Sequence, residues 1–443
     1  MLVVAAAAPA FADPLPGEES GRVEGDDGGD SVPRVVARGV LFVPKLAFQV
    51  IDAPLRGAIY LNARYNVSDY YYRIFFNDKR TFGIVPTGSF DTHFGWTAGA
   101  RVAATDVFGE GERLGAYGTV GEVFRANAGV SARTGKRLGD HVELGLEGTF
   151  ERHPNDTFWG IGNGDLQRTP PATRVDPRVD DTALEARYRY EMERVALVGD
   201  FRPVTHLHLK TTAALADLDV GRSPKNGDEM PIDVVYDPDG LVGFSDVKHA
   251  YGELEVRWDA RHQQSRWDSR QVYSAGGMAA AFAGRVHRID PGDDFTRYGG
   301  ELQYFFRLAD GPKVIATRFH LEGVTGGRDD VPLTELARLG GPTFLRGYDT
   351  DRFRDRVAAV GSAEYGWDLS HLLDASLFVD VGRVYPSLNA MSFDHLRCGF
   401  GAALSLHGDS YFVLQASVAT SIDGGLFFNL AFNRAFDGST SWR

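Results

Sequence analysis

Apolar and polar side chains alternate along most of this chain, from about His93 to Phe436. The alternation runs in segments of about ten residues, the length that a tilted membrane-spanning strand needs. Successive side chains of a β-strand point to opposite faces, so each segment has one apolar and one charged face. In 252–259, for example, the two faces are Leu254, Val256 and Trp258 against Glu253, Glu255, Arg257 and Asp259.

The alternating segments predict sixteen β-strands, at 93–105, 113–124, 126–136, 141–150, 182–191, 193–203, 206–216, 249–260, 271–286, 298–308, 313–325, 357–367, 375–385, 397–407, 411–421 and 426–436. An even number lets an antiparallel barrel close with both chain ends on one side. Strands of soluble sheets average about five or six residues, so a soluble sandwich is the less favoured alternative. The predicted fold is all-β, a 16-stranded antiparallel transmembrane β-barrel over 93–436. The long stretch 151–181 falls on the side where connections should be short, which leaves the register before residue 190 open.

Composition and charge agree with a barrel. Glycine accounts for 52 of the 443 residues, well above the roughly 7% of average proteins, which argues against a helical bundle. The net charge of −13 offers no basic face for phosphates and argues against a nucleic-acid partner. Mean hydropathy is −0.23 and no run of 18 apolar residues occurs, which excludes membrane-spanning helices.

The region before the barrel changes character several times. It begins with an apolar run that ends in Ala10-Phe11-Ala12, a pattern that signal peptidase cleaves. An acidic stretch without aromatic residues follows and is predicted to be disordered. Apolar positions on both sides of Pro44 predict an interrupted amphipathic helix over 34–54, placed on the inner membrane surface, in the barrel lumen or against a soluble core. The predicted order is a signal peptide at 1–12 whose missing basic start indicates a start codon upstream, a disordered leader at 13–33, a periplasmic or lumen-plugging helical segment at 34–92, the barrel, and a tail at 437–443.

One loop carries a motif that resembles a known family. Residues 339–348 read Leu-Gly-Gly-Pro-Thr-Phe-Leu-Arg-Gly-Tyr, and they lie between the eleventh and twelfth predicted strands. This resembles the sixth extracellular loop of the BamA/TamA superfamily of outer-membrane barrels (the bacterial surface antigen type), whose mark is a [V/I/L]-R-G-[F/Y] tetrapeptide. Here the tetrapeptide is Leu345, Arg346, Gly347 and Tyr348.

The resemblance implies partners for the loop arginine on the next two strands. In the superfamily this arginine reaches acidic groups in the lumen, and the corresponding segments are Ala363-Glu364-Tyr365 and Phe378-Val379-Asp380-Val381-Gly382. By alternation Glu364 and Asp380 point inward, opposite neighbours that face lipid. An arginine inside a lumen needs paired carboxylates, because an unpaired buried charge is costly, and its planar fork suits two acceptors. We therefore expect Arg346 to pair with Glu364 and Asp380, with Gly382 beside them.

Two weaker segments extend the resemblance over about 85–436. Residues 158–163, Phe-Trp-Gly-Ile-Gly-Asn, are similar to a stretch common in these barrels, although an ordinary Gly-rich turn would read the same way. The last predicted strand resembles a C-terminal assembly signal that ends on an aromatic residue, either Phe432 or Phe436. The residues before the barrel show no repeated β-α-α-β-β pattern, so the chain resembles the short members of the superfamily that lack POTRA domains.

Motifs for catalysis or metal binding do not occur. The sequence contains no G-x-S-x-G, H-E-x-x-H, C-x-x-C or P-loop. His206 and His208 share one strand face, but nothing supplies a third metal ligand. The single cysteine, Cys398, excludes a disulfide framework and is expected to pack as a small apolar residue. We expect a non-enzyme without metal or cofactor.

The resemblance implies a role in inserting or translocating proteins or lipids at the bacterial outer membrane. The expected partners are outer-membrane lipids, client outer-membrane proteins and the barrel assembly machinery that inserts the chain itself. Two alternatives stay open. One is a passive, porin-like diffusion channel whose charged lumen sets ion selectivity, and the other is a structural barrel with a plugged lumen.

Overall fold

The computed structural model describes most of the chain from residue 73 onward. The described residues are 73–79, 81–92, 95–121, 124–167, 173–178, 183–224, 230–261, 274–308, 312–327, 329–370, 373–407 and 412–431. They all belong to one unit of the chain, Val67–Arg443. The predictions for 1–12, 13–33, 34–54 and 437–443, and for Phe432 and Phe436, lie outside the described residues.

The described strands are β1 (Phe82–Asp91), β2 (Gly95–Thr105), β3 (Arg113–Gly121), β4 (Ala126–Arg133), β5 (Val142–Phe158), β6 (Ala186–Val204), β7 (Leu207–Arg222), β8 (Asp246–Asp259), β9 (Gly276–Arg288), β10 (Phe295–Arg307), β11 (Lys313–Val324), β12 (Ala337–Leu339), β13 (Phe353–Asp355), β14 (Val357–Ser370), β15 (Leu373–Tyr385), β16 (Arg397–His407), β17 (Phe412–Ser421) and β18 (Phe427–Ala431). Sixteen of them pair with their neighbours around a ring that closes between β1 and β18, while β12 and β13 form a separate two-stranded sheet. Each pairing is antiparallel. The predicted 16-stranded antiparallel barrel is confirmed.

The predicted strand list reached sixteen through two errors that cancel. It missed β1, so the barrel begins at Phe82 rather than near residue 93. Pro86 and two glycines interrupt the alternation of β1 and hide it from a pattern search. The list also divided β6 into two strands, 182–191 and 193–203, although residues 186–204 form one. With β1 added and β6 undivided, the connection 159–185 lies at the end of the barrel that carries the long connections. This resolves the strand register before residue 190.

Strand β6 was divided because its polarity changes phase along its length. Near its C-terminal end the outward residues are apolar, with Leu197 62% exposed, whereas near its start the inward residues are apolar and Tyr188 is 1% exposed. The wall of β5–β8 thus extends beyond the apolar outer belt, and there its outer surface carries ion pairs. Arg189 bonds Asp219 at 2.5 Å and Lys248 bonds Asp217 at 2.7 Å. The alternation changes phase where the outer surface of the wall passes from the apolar belt to the ion-paired region, but the strand continues without a break.

The connections divide between the two ends of the barrel. One end, called here the loop end, carries the long connections 159–185, 223–245 and 325–356, and the other is called the turn end. Apolar side chains from these loops fill the loop end of the lumen, where Phe158, Tyr236 and Leu333 are at most 2% exposed. Among the residues that the structure describes, no helix has the length and apolar content needed to cross a membrane.

Candidate functional site

The connection 325–356, called here the motif loop, folds into the lumen from the loop end. Its short sheet pairs Ala337 with Asp355 and Leu339 with Phe353. Between these strands Leu345 adopts a left-handed backbone with φ of +59°, and its fully buried side chain packs with Leu339, Val360 and Val384. Such a backbone is costly for a residue with a side chain and persists only where packing compensates. It directs the next residue, Arg346, down the lumen.

Arg346 lies between the two predicted carboxylates. Its backbone N–H and Nε donate to Asp380 Oδ2 at 2.9 and 2.8 Å, and Nη2 donates to Asp380 Oδ1 at 2.9 Å. Nη1 donates to Glu364 Oε2 at 3.0 Å. The guanidinium also lies 3.5 Å from the ring centre of Phe378, a cation–π distance. Arg346, Glu364 and Asp380 are all at most 4% exposed, so the guanidinium is held between its two carboxylate partners where water has little access.

The backbone of the tetrapeptide also packs closely against β16 and β17. A side chain at Gly399 of β16 would overlap the carbonyl oxygen of Arg346, and one at Gly347 would overlap the backbone of Thr420 in β17. Gly347 itself has a φ of +94°, a conformation that favours glycine. The loop therefore touches β14, β15, β16 and β17 in succession and ends one strand short of the closure at β18.

Tyr348 ends the tetrapeptide in a polar cluster at the loop end. Its hydroxyl donates to Asp423 Oδ2 at 2.8 Å, and Arg397 donates to the same oxygen at 2.8 Å. Burial and the neighbouring Asp423 carboxylate raise the pKa of Tyr348. Arg397 also bonds Asp165 at 2.6 Å and holds the pKa of that carboxyl below its usual range. The cluster joins the motif loop to β16, to the β17–β18 connection and to residues 159–167.

The segment 158–163 takes part in this site, although the sequence assigned it no partner. The side-chain amide of Asn163 donates to Val384 O at 2.7 Å and accepts from Val384 N at 3.1 Å. Gly162 N bonds Arg354 O at 2.7 Å, which ties the segment to the motif loop. Arg354 is 1% exposed and donates to Tyr188 Oη at 3.1 Å. In the sequence, the feature that could have indicated these contacts is the run Arg352-Phe353-Arg354-Asp355, which follows the motif.

The remaining predicted residues lie apart from the arginine. Gly382 pairs with Val360 and Arg397 in the wall, one inward position beyond Asp380. His206 and His208 lie near the turn end, where His208 Nδ1 is 3.2 Å from Asp200. Within the described ranges no group of His, Cys, Asp and Glu side chains could hold a metal ion.

The ring closes between β1 and β18. The two strands pair through Phe90 with Leu430 and Asp91 with Asn429 in the described part of the chain, whereas β1 and β2 pair over all of Phe82–Asp91. The hydroxyl of Thr92 accepts from Phe428 N at 2.7 Å and donates to Phe428 O at 2.9 Å. This closure is called here the seam.

Comparisons with known proteins agree with the fold. Residues 253–423, which include Arg346, Glu364 and Asp380, match the Omp85 superfamily domain. The structure is similar to that of BamA from Haemophilus ducreyi lacking POTRA domains 1–3, with a TM-score of 0.54 and 16% identity over 79% of this chain and 70% of that chain. CdiB from Acinetobacter baumannii has a TM-score of 0.48 and 12% identity, over 79% of this chain and 59% of its own. CdiB from Escherichia coli has a TM-score of 0.49 and 11% identity, over 79% and 62%. A comparison with curated proteins gave no match.

The matched region begins in β8 and ends just after β17, so it contains the motif loop and all four strands on which that loop rests. The order of loop, glutamate strand and aspartate strand is that expected from the tetrapeptide, and the barrel has sixteen strands. A match to the Omp85 superfamily domain therefore covers the motif loop and its supporting strands, within a 16-stranded barrel whose fold is similar to that of BamA.

Proposed function

We propose that this barrel lies in the bacterial outer membrane and inserts or translocates proteins or lipids there. The observation that carries the proposal is the motif loop, which is bonded to β14 and β15 and lies against β16 and β17 but ends before the seam between β18 and β1. The outer belt supports a membrane location, because large apolar side chains cover it on strands all around the ring. Examples are Val130, Leu197, Leu254, Leu302 and Phe400, which are 45% to 62% exposed.

Opening the seam would supply the binding site for a client. A separated β1 and β18 present unpaired backbone N–H and C=O groups, which a client strand can satisfy by pairing. Such groups are costly in a bilayer, so an open seam favours capture of a strand over remaining open. The site needs no covalent chemistry, and client outer-membrane proteins and lipids are the proposed partners.

The motif loop would confine opening to the seam. Arg346 links the loop to β14 and β15, and the close approach at Gly399 and Gly347 sets it against β16 and β17. Because one loop holds β14, β15, β16 and β17, we expect these four strands to move together. The ring would then separate at the seam between β18 and β1.

The plugged barrel is the alternative with an observation in its favour. Apolar clusters of the loops fill the loop end of the lumen, with Tyr236 and Leu333 nearly inaccessible. The same filling counts against the porin-like alternative, because a passive channel needs a continuous water path.

A seam-locking experiment tests the proposal. Cysteines replace Phe90 and Leu430, which face each other across the seam, in a Cys398→Ala background. Directly opposed strand residues lie about 4.5–5.5 Å apart, within the range that a disulfide spans. We expect oxidation to abolish insertion of a second outer-membrane barrel into vesicles, and reduction to restore it.

The control pair replaces Ala279 and Leu302, opposed across β9 and β10. Its disulfide locks a wall that already has full pairing, so insertion should continue. Insertion that persists with the seam locked would exclude the proposal and leave the plugged barrel.

A further inference from the structure

Three outward residues near the loop end are buried, unlike those of the belt. Val357, Ala359 and Tyr385 are 1%, 7% and 4% exposed and pack together. Side chains alternate along a strand, and Val379 of β15 faces outward with 39% exposure, so Tyr385 and its partner Val357 also point out of the barrel. Another part of the chain must therefore cover the outer wall here.

The β15–β16 connection, residues 386–396, provides that cover and is called here the wall loop. Its single 3₁₀ turn is Leu388–Ala390, and Leu388 lies beside Phe319 and Leu321, two outward residues of β11. In the ring, β14 lies between β15 and β11. A connection that starts at β15 and reaches β11 therefore crosses the outer face of β14, where the buried residues lie.

The wall loop holds Phe393 away from the wall. The Tyr385 hydroxyl donates to Ser392 O at 2.7 Å, and Arg383, an outward residue of the same strand, donates to Asp394 O. Both neighbours of Phe393 are thus fixed to the outer face of β15, while its own side chain is 93% exposed. Single exposed apolar residues are common, but here hydrogen bonds on both sides present the ring to the surroundings of the barrel.

The exposed face of the wall loop is apolar beyond Phe393. Leu388 is 46% exposed and Met391 is 37% exposed. Because Leu388 also lies against the apolar belt at β11, the exposed face of the loop continues the belt toward the loop end. In the β5–β8 wall, by contrast, the outer surface near the loop end carries the ion pairs of Arg189 and Lys248. The apolar surface is therefore extended on one side of the ring.

The position of Phe393 fits the interfacial layer of a bilayer. Val379 and Val381 are outward residues of the belt on β15, and Arg383 is the first outward charge beyond them. Strand residues rise about 3.3 Å each, so Arg383 and Tyr385 lie about 7 and 13 Å beyond Val381 along the strand, and less along the membrane normal because barrel strands tilt. The headgroup layer on each side of the hydrocarbon core is about 5–8 Å thick. Phe393 is held between these two residues and therefore lies at the level of that layer.

We propose that the wall loop is an interfacial membrane anchor, with Leu388, Met391 and Phe393 inserted among the headgroups and upper acyl chains of the outer leaflet. The inference rests on the proposed outer-membrane location, which turns the loop end toward that leaflet. Apolar side chains that enter this layer leave water, and a backbone already fixed by hydrogen bonds adds little cost of ordering the loop. The partner is the bilayer surface itself, without selection of one lipid.

The anchor would act on the same strands as the motif loop. The wall loop joins β15 to β16 on the outside, and the motif loop contacts β14–β17 from the lumen. Strands held from both faces keep their depth in the bilayer. Movement at the seam would then fall to β1 and its neighbours.

Spin-label accessibility in vesicles tests the anchor. Phe393→Cys, Ile289→Cys and Leu302→Cys each carry a nitroxide, in the Cys398→Ala background of the full chain refolded into phosphatidylcholine vesicles. Collision rates with oxygen, which concentrates in lipid, and with a water-soluble nickel chelate report the depth of each label. We expect the oxygen-to-nickel ratio at position 393 to be several-fold above that at 289 and below that at 302.

Two of these positions are references. Ile289 is the matched control, because it is apolar and 61% exposed in the β9–β10 connection at the same end, but lies beside Asp290 instead of the belt. Leu302 is 55% exposed in the belt and reports the membrane location itself. Adding Tyr385→Phe to the protein labelled at 393 removes the bond to Ser392 and should lower the ratio there. Heat-dependent gel mobility verifies that every variant is folded.

The outcomes separate the anchor from the membrane location. A ratio at 393 equal to that at 289 would overturn the anchor, as would a label shielded from both reagents, which a second copy packed on the loop would produce. An unchanged ratio in Tyr385→Phe would overturn the role of that hydroxyl in holding Phe393. A water-exposed label at 302 would overturn the membrane location as well. The assay contains no client, so its failure is separate from failure of the seam-locking test.

Discussion

At the scale of single residues, the stability of the motif loop depends on how the charge of Arg346 is shared. Asp380 accepts three of the four hydrogen bonds from this residue, and Glu364 accepts one. A buried charge that loses its partner is penalised more than an absent pair, by about 3–5 kcal/mol in soluble proteins. The two carboxylates are therefore unequal partners.

We expect Asp380→Asn to lower the free energy of unfolding more than Glu364→Gln, and Arg346→Ala to lower it by about 3 kcal/mol. Arg346→Lys should be intermediate, because an ammonium keeps the charge but loses the planar fork. Urea unfolding of the vesicle-inserted barrel measures the series. Exposed Arg101→Ala is the control and should leave stability unchanged. A fully stable Arg346→Ala would mean that the arginine does not brace the wall.

At the scale of elements, the segment 159–167 acts as a clasp between the motif loop and β15. The Asn163 amide satisfies both backbone groups of Val384, as a neighbouring strand would. Asn163→Ala leaves these groups unpaired, which costs about 1–3 kcal/mol when they are buried. We expect faster hydrogen exchange at 159–167 and at 339–348, with the rest of the barrel unchanged.

Asn163→Asp keeps the acceptor and loses the donor, so its effect should be smaller. Exposed Asn389→Ala is the control. Unchanged exchange at 339–348 in Asn163→Ala would show that the motif loop holds its place without the clasp.

Elements also show where pattern reading succeeds. Strand β8 was predicted almost to its ends, because its inner face is charged and its outer face apolar over the whole membrane-spanning part. Strand β1 was missed because glycine and proline interrupt it, and β6 was divided because its outer face passes from lipid to water. Alternation therefore locates a strand reliably only while both environments stay constant along it.

At the scale of the whole molecule, the filled loop end determines what can pass through the lumen. The clusters around Phe158 and Leu345 combine residues of the long connections with inward residues of the strands, and both central side chains are fully buried. We expect low conductance in planar bilayers, and long open events when residues 340–352 are replaced by a short Gly-Ser linker. High conductance of the wild type would support the porin-like alternative.

The same recording tests the expected helical segment before the barrel. A variant without residues 13–54 should conduct more than the wild type if that segment plugs the lumen. Equal conductance of the two would place the barrier in the loops alone. The linker variant then serves as the positive control for an open pore.

The sequence by itself determined the barrel class and the inward direction of Glu364 and Asp380, because alternation reports which face of a strand a side chain occupies. The family motif added the expectation that Arg346 meets them. Only the tertiary structure decided the contacts at Gly399, the clasp through Asn163 and the course of the wall loop. These join residues far apart in the chain, and their distances depend on the curvature of the closed barrel, which no local pattern encodes.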